Sequence, residues 1–245
     1  SDFDYKVNYW LSLNLRASYD TYFDERRYFF PINTAGRGAG RFQLDNINRS
    51  IFNVDFIGRT KTFGLNENLN ANFILGYNYN NRLRKSVYNR AQQFLINSNV
   101  QTFLNNADPE LARNFITKER KFRGFYTAGF EYKDQFFLNT TGAVEKSSTI
   151  NGAFFYPSVD ASWLFSETDA IGNLGFVNKA KLRLGVGQVG VEPIPHRGQT
   201  TYESPTYSDF GDPLELLQFG GGFRFNNNLG NLDLKPEIKT EYEAG

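Results

Sequence analysis

His196 is the only histidine in the chain, and it lies close in sequence to Ser204 and Asp209. These are the residue types of a nucleophile, a general base and an orienting carboxylate. Such triads are recognised by geometry, so three residues sharing a loop predict no catalysis. A zinc site is also poorly supported, because there is no cysteine and a single imidazole would need carboxylates beside it. We therefore expect no catalytic residue, no metal, no cofactor and no enzymatic activity.

Aromatic rings are interleaved with polar and charged side chains in the same loop. This mixture suits contact with a sugar or a peptide, and it equally suits packing of the loop against itself or against a partner. The ligand-contact candidates are Arg197, Tyr202, Tyr207, Asp209 and Phe210. A second loop contains the glycine-rich stretch 36–40. It lacks the G-x-G-x-x-G spacing and no apolar strand runs directly into it, which predicts a flexible loop and no phosphate site.

The composition bounds the class of protein. The chain has 245 residues and a net charge of +1, which gives no case for a nucleic-acid partner. Aromatic residues make up 17%, yet the mean hydropathy is −0.51, polar for so aromatic a chain. No run of apolar residues is long enough for a membrane helix. An aromatic β-sandwich and an outer-membrane barrel with a polar lumen both suit this composition.

Alternation of apolar and polar residues predicts strands along most of the chain. In 179–190, Leu182, Leu184 and Val186 share one face, and charged or small residues occupy the other. The predicted strands are 7–19, 51–60, 65–79, 122–133, 136–144, 155–165, 179–190, 223–226 and 237–244. Tight turns are expected near 59–62 and at 134–135. We expect structured surface loops at 20–49 and 80–120, with short helices conceivable at 92–106 and 108–114.

The order of the connections favours a membrane barrel. Long and short connections alternate over the first five, as the external loops and periplasmic turns of an up-and-down barrel do. The connection 167–178 is longer than this scheme requires. Arg16, Lys181 and Arg183 fall on the lumen side of their strands, which avoids a cost of roughly 2–4 kcal/mol for a basic residue facing lipid. Glu67 falls on the wrong side and is expected near an interface or a bulge.

Four segments resemble the SusC/RagA-like TonB-dependent transporters. Residues 155–167 (FYPSVDASWLFSE) are similar to the family strand F-P-S-x-S-x-x-W-x-x-S-E, and 181–190 (KLRLGVGQVG) to L-K-L-R-x-S-Y-G-x-T-G. Residues 231–237 (NLDLKPE) are similar to N-P-x-L-K-x-E, and 125–142 to the family hairpin. The order and spacing of the four segments add specificity. Residues 145–152 depart from the family's R-x-D-G-S-S-R-F, and 1–80 match only in general pattern.

The resemblance implies an all-β fold, part of a 22-stranded antiparallel transmembrane barrel with long external loops and short periplasmic turns. Residues 1–245 would be a fragment of one barrel domain, without its plug or TonB-contacting segment. The implied function is import of oligosaccharides or peptides across the cell outer membrane. The implied partners are a SusD-like surface lipoprotein, TonB, outer-membrane lipid and a second transporter–lipoprotein pair. A passive porin, a secretion-associated barrel and a soluble glycan-binding β-sandwich remain the alternatives.

Overall fold

Twelve strands account for most of the chain in a computed structural model that describes residues 1–107, 111–167, 180–203, 224–226 and 229–245. The strands are β1 (Asp2–Lys6), β2 (Leu11–Phe30), β3 (Arg41–Thr60), β4 (Phe63–Asn66), β5 (Leu69–Gln92), β6 (Leu111–Tyr132), β7 (Phe136–Ser147), β8 (Phe154–Trp163), β9 (Leu182–Val191), β10 (Tyr202–Glu203), β11 (Arg224–Phe225) and β12 (Glu237–Ala244). A single 3₁₀ turn, Phe165–Glu167, follows β8.

Ten of these strands form one sheet, in the order β1-β2-β3-β5-β6-β7-β8-β9-β12, with β4 paired to β5. Neighbouring strands in this order follow one another along the chain, which is the up-and-down arrangement. The pairs β6–β7, β7–β8, β8–β9 and β9–β12 are antiparallel. Strands β10 and β11 form a separate antiparallel pair. The predicted all-β fold is confirmed.

The register of β6–β9 aligns apolar side chains in rows across the sheet. One row runs Tyr132, Phe136, Trp163 and Leu182, and the next runs Phe130, Leu138, Ala161 and Leu184. Since paired residues lie on the same side of a sheet, these rows define an apolar face. The intervening row, Glu131, Phe137, Ser162 and Arg183, belongs to the opposite, polar face. The strand phases predicted for this part of the sequence are therefore correct.

The contacts divide the chain into two compact units. The first comprises Ser1–Asp2, Arg16–Val54 and Tyr79–Arg120, and the second Phe3–Leu15, Asp55–Asn78 and Lys121–Gly245. Phe94 joins the two loops of the first unit.

The ring of Phe94 stacks on Phe29 with centroids 5.7 Å apart, and its backbone N–H donates to Ala39 O at 2.8 Å. A Cβ at Gly40 would lie 2.4 Å from this ring, and its φ is +82°, so only glycine fits there.

The strands of the sheet enclose no dry interior. Among the described residues no large side chain is fully buried, and residues of the apolar face are open, with Leu184 55% and Leu75 70% exposed. A two-layered sandwich would bury such side chains between its sheets. This observation rules out the β-sandwich alternative, because the apolar face is not covered by the chain's own residues.

Two of the long loops expected from the sequence are much shorter. Strand β2 continues to Phe30 and β3 begins at Arg41, so the loop predicted at 20–49 is confined to 31–40. Similarly, β5 runs to Gln92 and β6 starts at Leu111, within the predicted loop 80–120. The short helix considered at 108–114 is wrong for residues 111–114, which form part of β6. Residues 108–110 lie outside the described residues. Residues 93–106 contain no helix.

Near the turns, two predicted strands are interrupted. Residues 7–10 form a bend in which the Asn8 side chain accepts from the backbone N–H groups of Trp10 and Leu11, so the strand predicted from residue 7 begins at Leu11. The strand predicted at 65–79 is divided by a turn between β4 and β5, and Glu67 lies in that turn. The register shifts between Gly64 and Asn66. A turn and a bulge thus account for the misplaced carboxylate, as expected.

Several connections match the sequence prediction. The turn between β6 and β7 occupies 133–135, where Lys133 and Asp134 both have positive φ. Strand β11 lies within the predicted 223–226, and β12 matches the predicted 237–244. Most of the connection predicted at 167–178 lies outside the described residues.

Candidate functional site

A groove of about 1620 Å³ lies on the polar face of the second unit. It runs across β6, β7, β8, β9 and β12, and both signs of charge line it. The charged lining residues are Asp55, Arg123, Glu145, Asp160, Lys181, Arg183, Glu241 and Glu243. A groove of this polarity suits water and a polar solute, and the mixed charges disfavour selection of one ion sign.

The wall of the groove combines small residues with paired amides and carboxylates. Asn78 Nδ2 donates to Asp55 at 2.6 Å, and Asn139 Nδ2 donates to Asp160 at 2.9 Å. These bonds hold the side chains against the sheet, and Gly185 and Gly187 on β9, the strand next to β8, add no side chain that would fill the groove. The two asparagines therefore line the wall of the groove.

A buried charge network adjoins the groove at Glu145. Lys121 Nζ lies 3.2 Å from a carboxylate oxygen of Glu145 and 3.3 Å from one of Glu192. The side chains of Glu145 and Glu192 are only 9% and 6% exposed. Both Glu192 oxygens are buried without a hydrogen-bond partner among the described residues. One ammonium thus balances two carboxylates that have little access to water.

The opposite, apolar face carries a shallow pocket of about 370 Å³. Its rim is the aromatic row, in which Phe136 and Trp163 stack with ring planes 9° apart. Its base is Ala161, the small member of the next row, between Leu138 and Leu184. A surface of this kind is compatible with hydrocarbon and not with water.

Only two of the five predicted ligand-contact residues are placed. Arg197 and Tyr202 lie on a segment that contacts 224–232, where Asn231 N–H donates to Arg197 O at 3.1 Å and the ring centroid of Tyr202 lies 4.8 Å from that of Phe225. Both Arg197 and Tyr202 are exposed. Tyr207, Asp209 and Phe210 lie outside the described residues, as does Ser204. His196 is exposed and has a φ of +68°.

The sequence reading missed a group of arginines in the first unit. Arg37 lies in the loop 31–40, Arg41 begins β3, and Arg90 lies near the end of β5. Partial burial lowers the pKa of the Arg41 guanidinium, and the positive charges of Arg37 and Arg90 lower it further. Arg90 is distant in the sequence from Arg37 and Arg41 and becomes their neighbour only through the fold, so no local motif predicts the group.

The described residues contain neither a candidate metal site nor a candidate membrane-spanning helix. No group of three or more His, Cys, Asp or Glu could hold a metal ion there. In the same residues no helix is long and apolar enough to cross a membrane.

Comparison with known proteins finds one relative by sequence and several structures with a similar fold. No protein-family model matches the chain. The TonB-dependent receptor P26 of Formosa agariphila is 35% identical over 104 residues, covering 38% of this chain and 10% of the receptor. The RagAB peptide transporter superposes over 98% of this chain with a TM-score of 0.80 at 12% identity. Part of the chain is thus similar to a TonB-dependent receptor, and the chain shares its fold with a region of the RagAB structures. An open-open state of the RagAB peptide importer matches similarly, with a TM-score of 0.79 at 13% identity over 99% of the chain.

The chain spans about a tenth of the length of the curated relative and 26% of the length of the solved chains. The likeness to a TonB-dependent receptor agrees with the expected location, the cell outer membrane. The relatives are named as a receptor and as transporters, and none of these names describes an enzyme.

Proposed function

We propose that this chain forms part of the barrel wall of a TonB-dependent importer that carries oligosaccharides or peptides across the outer membrane. The single observation that carries the proposal is the division of β6–β9 into two faces by a continuous register. One face bears the groove with its charges, and the other bears the exposed aromatic and aliphatic rows. Hydrocarbon would cover the apolar face, and water and solute would occupy the polar one.

The whole barrel and its plug extend this proposal. The family resemblance suggests 22 strands and a plug that fills the lumen, to which residues 1–245 would contribute part of one barrel domain. The polar groove would then face the plug or the solute path. The energy for import would come from TonB through a segment outside these residues, and a SusD-like surface lipoprotein would cover the external opening. A dimer of transporter–lipoprotein pairs is the proposed assembly.

Substrate contact at the external end is a separate part of the proposal. Arg197 and Tyr202 are exposed on a segment that follows β9, and an aromatic ring beside a guanidinium suits both sugars and peptides. We include Tyr207, Asp209 and Phe210 in this candidate surface. Replacing Arg197 and Tyr202 together by alanine is expected to weaken substrate binding without changing the amount of folded protein in the membrane.

Uptake in cells tests the function directly. A strain lacking the full-length gene is compared with the same strain carrying it again, using fluorescently labelled oligosaccharides and peptides. We expect the deletion to abolish accumulation of at least one probe and the restored gene to return it. Normal accumulation of every probe in the deletion strain would contradict import.

Energy coupling distinguishes importer from porin. A protonophore and a tonB deletion should each stop accumulation against a gradient. If both treatments leave uptake unchanged, and uptake only equilibrates the two sides, the passive-porin alternative is correct.

A further inference from the structure

Arg37, Arg41 and Arg90 lie near the contact between the two loops of the first unit, where β3 begins and β5 ends beside it in the sheet. Gly40, the residue before Arg41, accepts a hydrogen bond from the Gln93 backbone N–H at 3.3 Å. Arg37 is tied to the same place, because its carbonyl accepts from the Gly40 N–H at 2.8 Å and its own N–H donates to Thr34 O at 2.9 Å. These backbone bonds fix the positions from which the three guanidiniums extend.

None of the three arginines is neutralised within the part of the chain that the structure describes. No carboxylate there forms an ion pair with them, and the side chain of Arg37 donates only to the carbonyl of Gly36, at 2.7 Å. The Nε atoms of Arg41 and Arg90 are buried and have no hydrogen-bond partner. The buried Nε atoms leave no room for a ligand, but both side chains are partly exposed, so their outer N–H groups are available to an oxyanion acceptor.

The position of the three arginines also fits a site for a solute. Strand β3 is 20 residues long, whereas a tilted strand needs about 9–11 to cross a bilayer. Arg41 begins β3, at the end far from its turn beside Lys61, so the cluster lies beyond the hydrocarbon and next to two of the longer loops. A charge there meets water and incoming solute and faces no lipid tails.

We propose that Arg37, Arg41 and Arg90 form a binding site for an oxyanion, a carboxylate or sulfate group carried by the transported molecule. Guanidinium groups match the planar, multi-oxygen shape of both anions and form strong charge-assisted hydrogen bonds with them. The site would favour acidic oligosaccharides or peptides over neutral ones at the entrance. This inference rests on the proposed function for its ligand, and its binding test is independent of transport.

Equilibrium binding to the full-length transporter in detergent provides that test. Three fluorescent probes share one backbone: short dextran oligomers, the same oligomers carboxymethylated, and the same oligomers sulfated. Arg41→Gln and Arg90→Gln are compared with Lys85→Gln, which removes an exposed charge from the same strand as Arg90. We expect each arginine variant to weaken binding of a charged probe about tenfold or more, the size typical of a charged hydrogen bond. Comparing carboxymethyl with sulfate shows which anion the site prefers.

The Lys85→Gln protein and the uncharged probe provide the controls. Their binding should be unchanged, and Arg90→Lys should retain part of the affinity, which separates loss of charge from misfolding. The inference is overturned if Lys85→Gln loses as much affinity as the arginine variants, or if the wild type does not prefer charged probes. If the charged probes bind through these arginines but cells show no energy-dependent uptake, the site stands and the importer function fails.

Discussion

Phe136 and Trp163 stack face to face across β7 and β8, with ring centroids 5.6 Å apart and planes 9° apart. The two residues are directly paired in the register, one residue away from the tight turn at 133–135. Aromatic pairs contribute about 0.5–1.5 kcal/mol beyond the area they bury. The stack therefore fixes the register at the turn end of the apolar face.

Replacing Trp163 by alanine should weaken this end of the barrel. We expect Trp163→Ala to lower the free energy of unfolding by about 1–2 kcal/mol, because the stacking and part of the apolar area are lost. Trp163→Phe keeps an aromatic ring and should cost less than about 1 kcal/mol. Urea titration of the detergent-solubilised protein measures the unfolding free energy of both variants. The folded fraction at each urea concentration is read from the different gel mobilities of folded and unfolded protein in unheated samples. Equal losses in the two variants would show that the stack is unimportant.

The two faces can be distinguished by cysteine labelling, since the chain has no native cysteine. Ala161 and Ser162 are neighbours on β8, and both differ little from cysteine in size. In outer membranes, Ser162→Cys should react with a small water-soluble maleimide, and Ala161→Cys should resist it. A lipophilic maleimide should reverse the order. Fast labelling of Ala161→Cys by the soluble reagent would place the apolar face in water.

Gly190 gives space to the ring of Tyr156. A Cβ at Gly190 would lie 2.2 Å from Tyr156 Oη, so Gly190→Ala must displace that ring. We expect a loss of about 1–3 kcal/mol in unfolding free energy, typical of overpacking. In the background Tyr156→Ala the same glycine substitution should be nearly neutral. A double-mutant cycle measures the coupling, and additive effects would refute the contact.

Lys121 holds two buried carboxylates. Lys121→Met should destabilise the protein by about 3–5 kcal/mol, because Glu145 and Glu192 then face each other without a counter-charge. Adding Glu145→Gln removes one negative charge and should restore part of the stability. The exposed pair of Lys239 and Glu241 is the control, and Lys239→Met should change stability by less than about 1 kcal/mol. Urea midpoints compare the four proteins.

The turn at 133–135 offers a stabilising substitution. Asp134 has a φ of +55°, a conformation that glycine adopts without strain. Asp134→Gly should therefore raise the unfolding free energy by about 0.5–1 kcal/mol. Gln135 is not among the residues with positive φ, so Gln135→Gly should lower stability through the entropy of the unfolded chain. Opposite signs in the two thermal midpoints are the expected result.

The sequence predicted the membrane-spanning parts of the strands well and their extensions poorly. Around Leu182 and Trp163 one face meets lipid and the other water, which imposes the period of two. Segments 20–30 and 80–92 carry polar residues on both faces, because neither face meets lipid there, and the sequence pattern therefore predicts loops. Alternation correctly identifies Glu67 as a carboxylate on the apolar face of the predicted strand, but it does not predict the turn between β4 and β5 in which Glu67 lies.

The candidate sites were harder to predict for a geometric reason. Arg41 and Arg90 are separated by 49 positions, and the pairing of β3 with β5 brings them together. The charges of Arg183 and Asp160 could be assigned to the polar face from alternation alone. That both side chains line one groove could be known only from the register in which β8 pairs with β9.

The exposed apolar rows have a consequence for biogenesis. In water this polypeptide would gain little free energy from folding into a sheet, since its apolar side chains bury so little of one another's surface. The driving force for folding must therefore come from the lipid bilayer that covers the apolar face, since no protein interior covers it. Before insertion the nascent segment would expose adhesive surface, so its passage through the periplasm calls for chaperones that hold it unfolded until the assembly machinery delivers it.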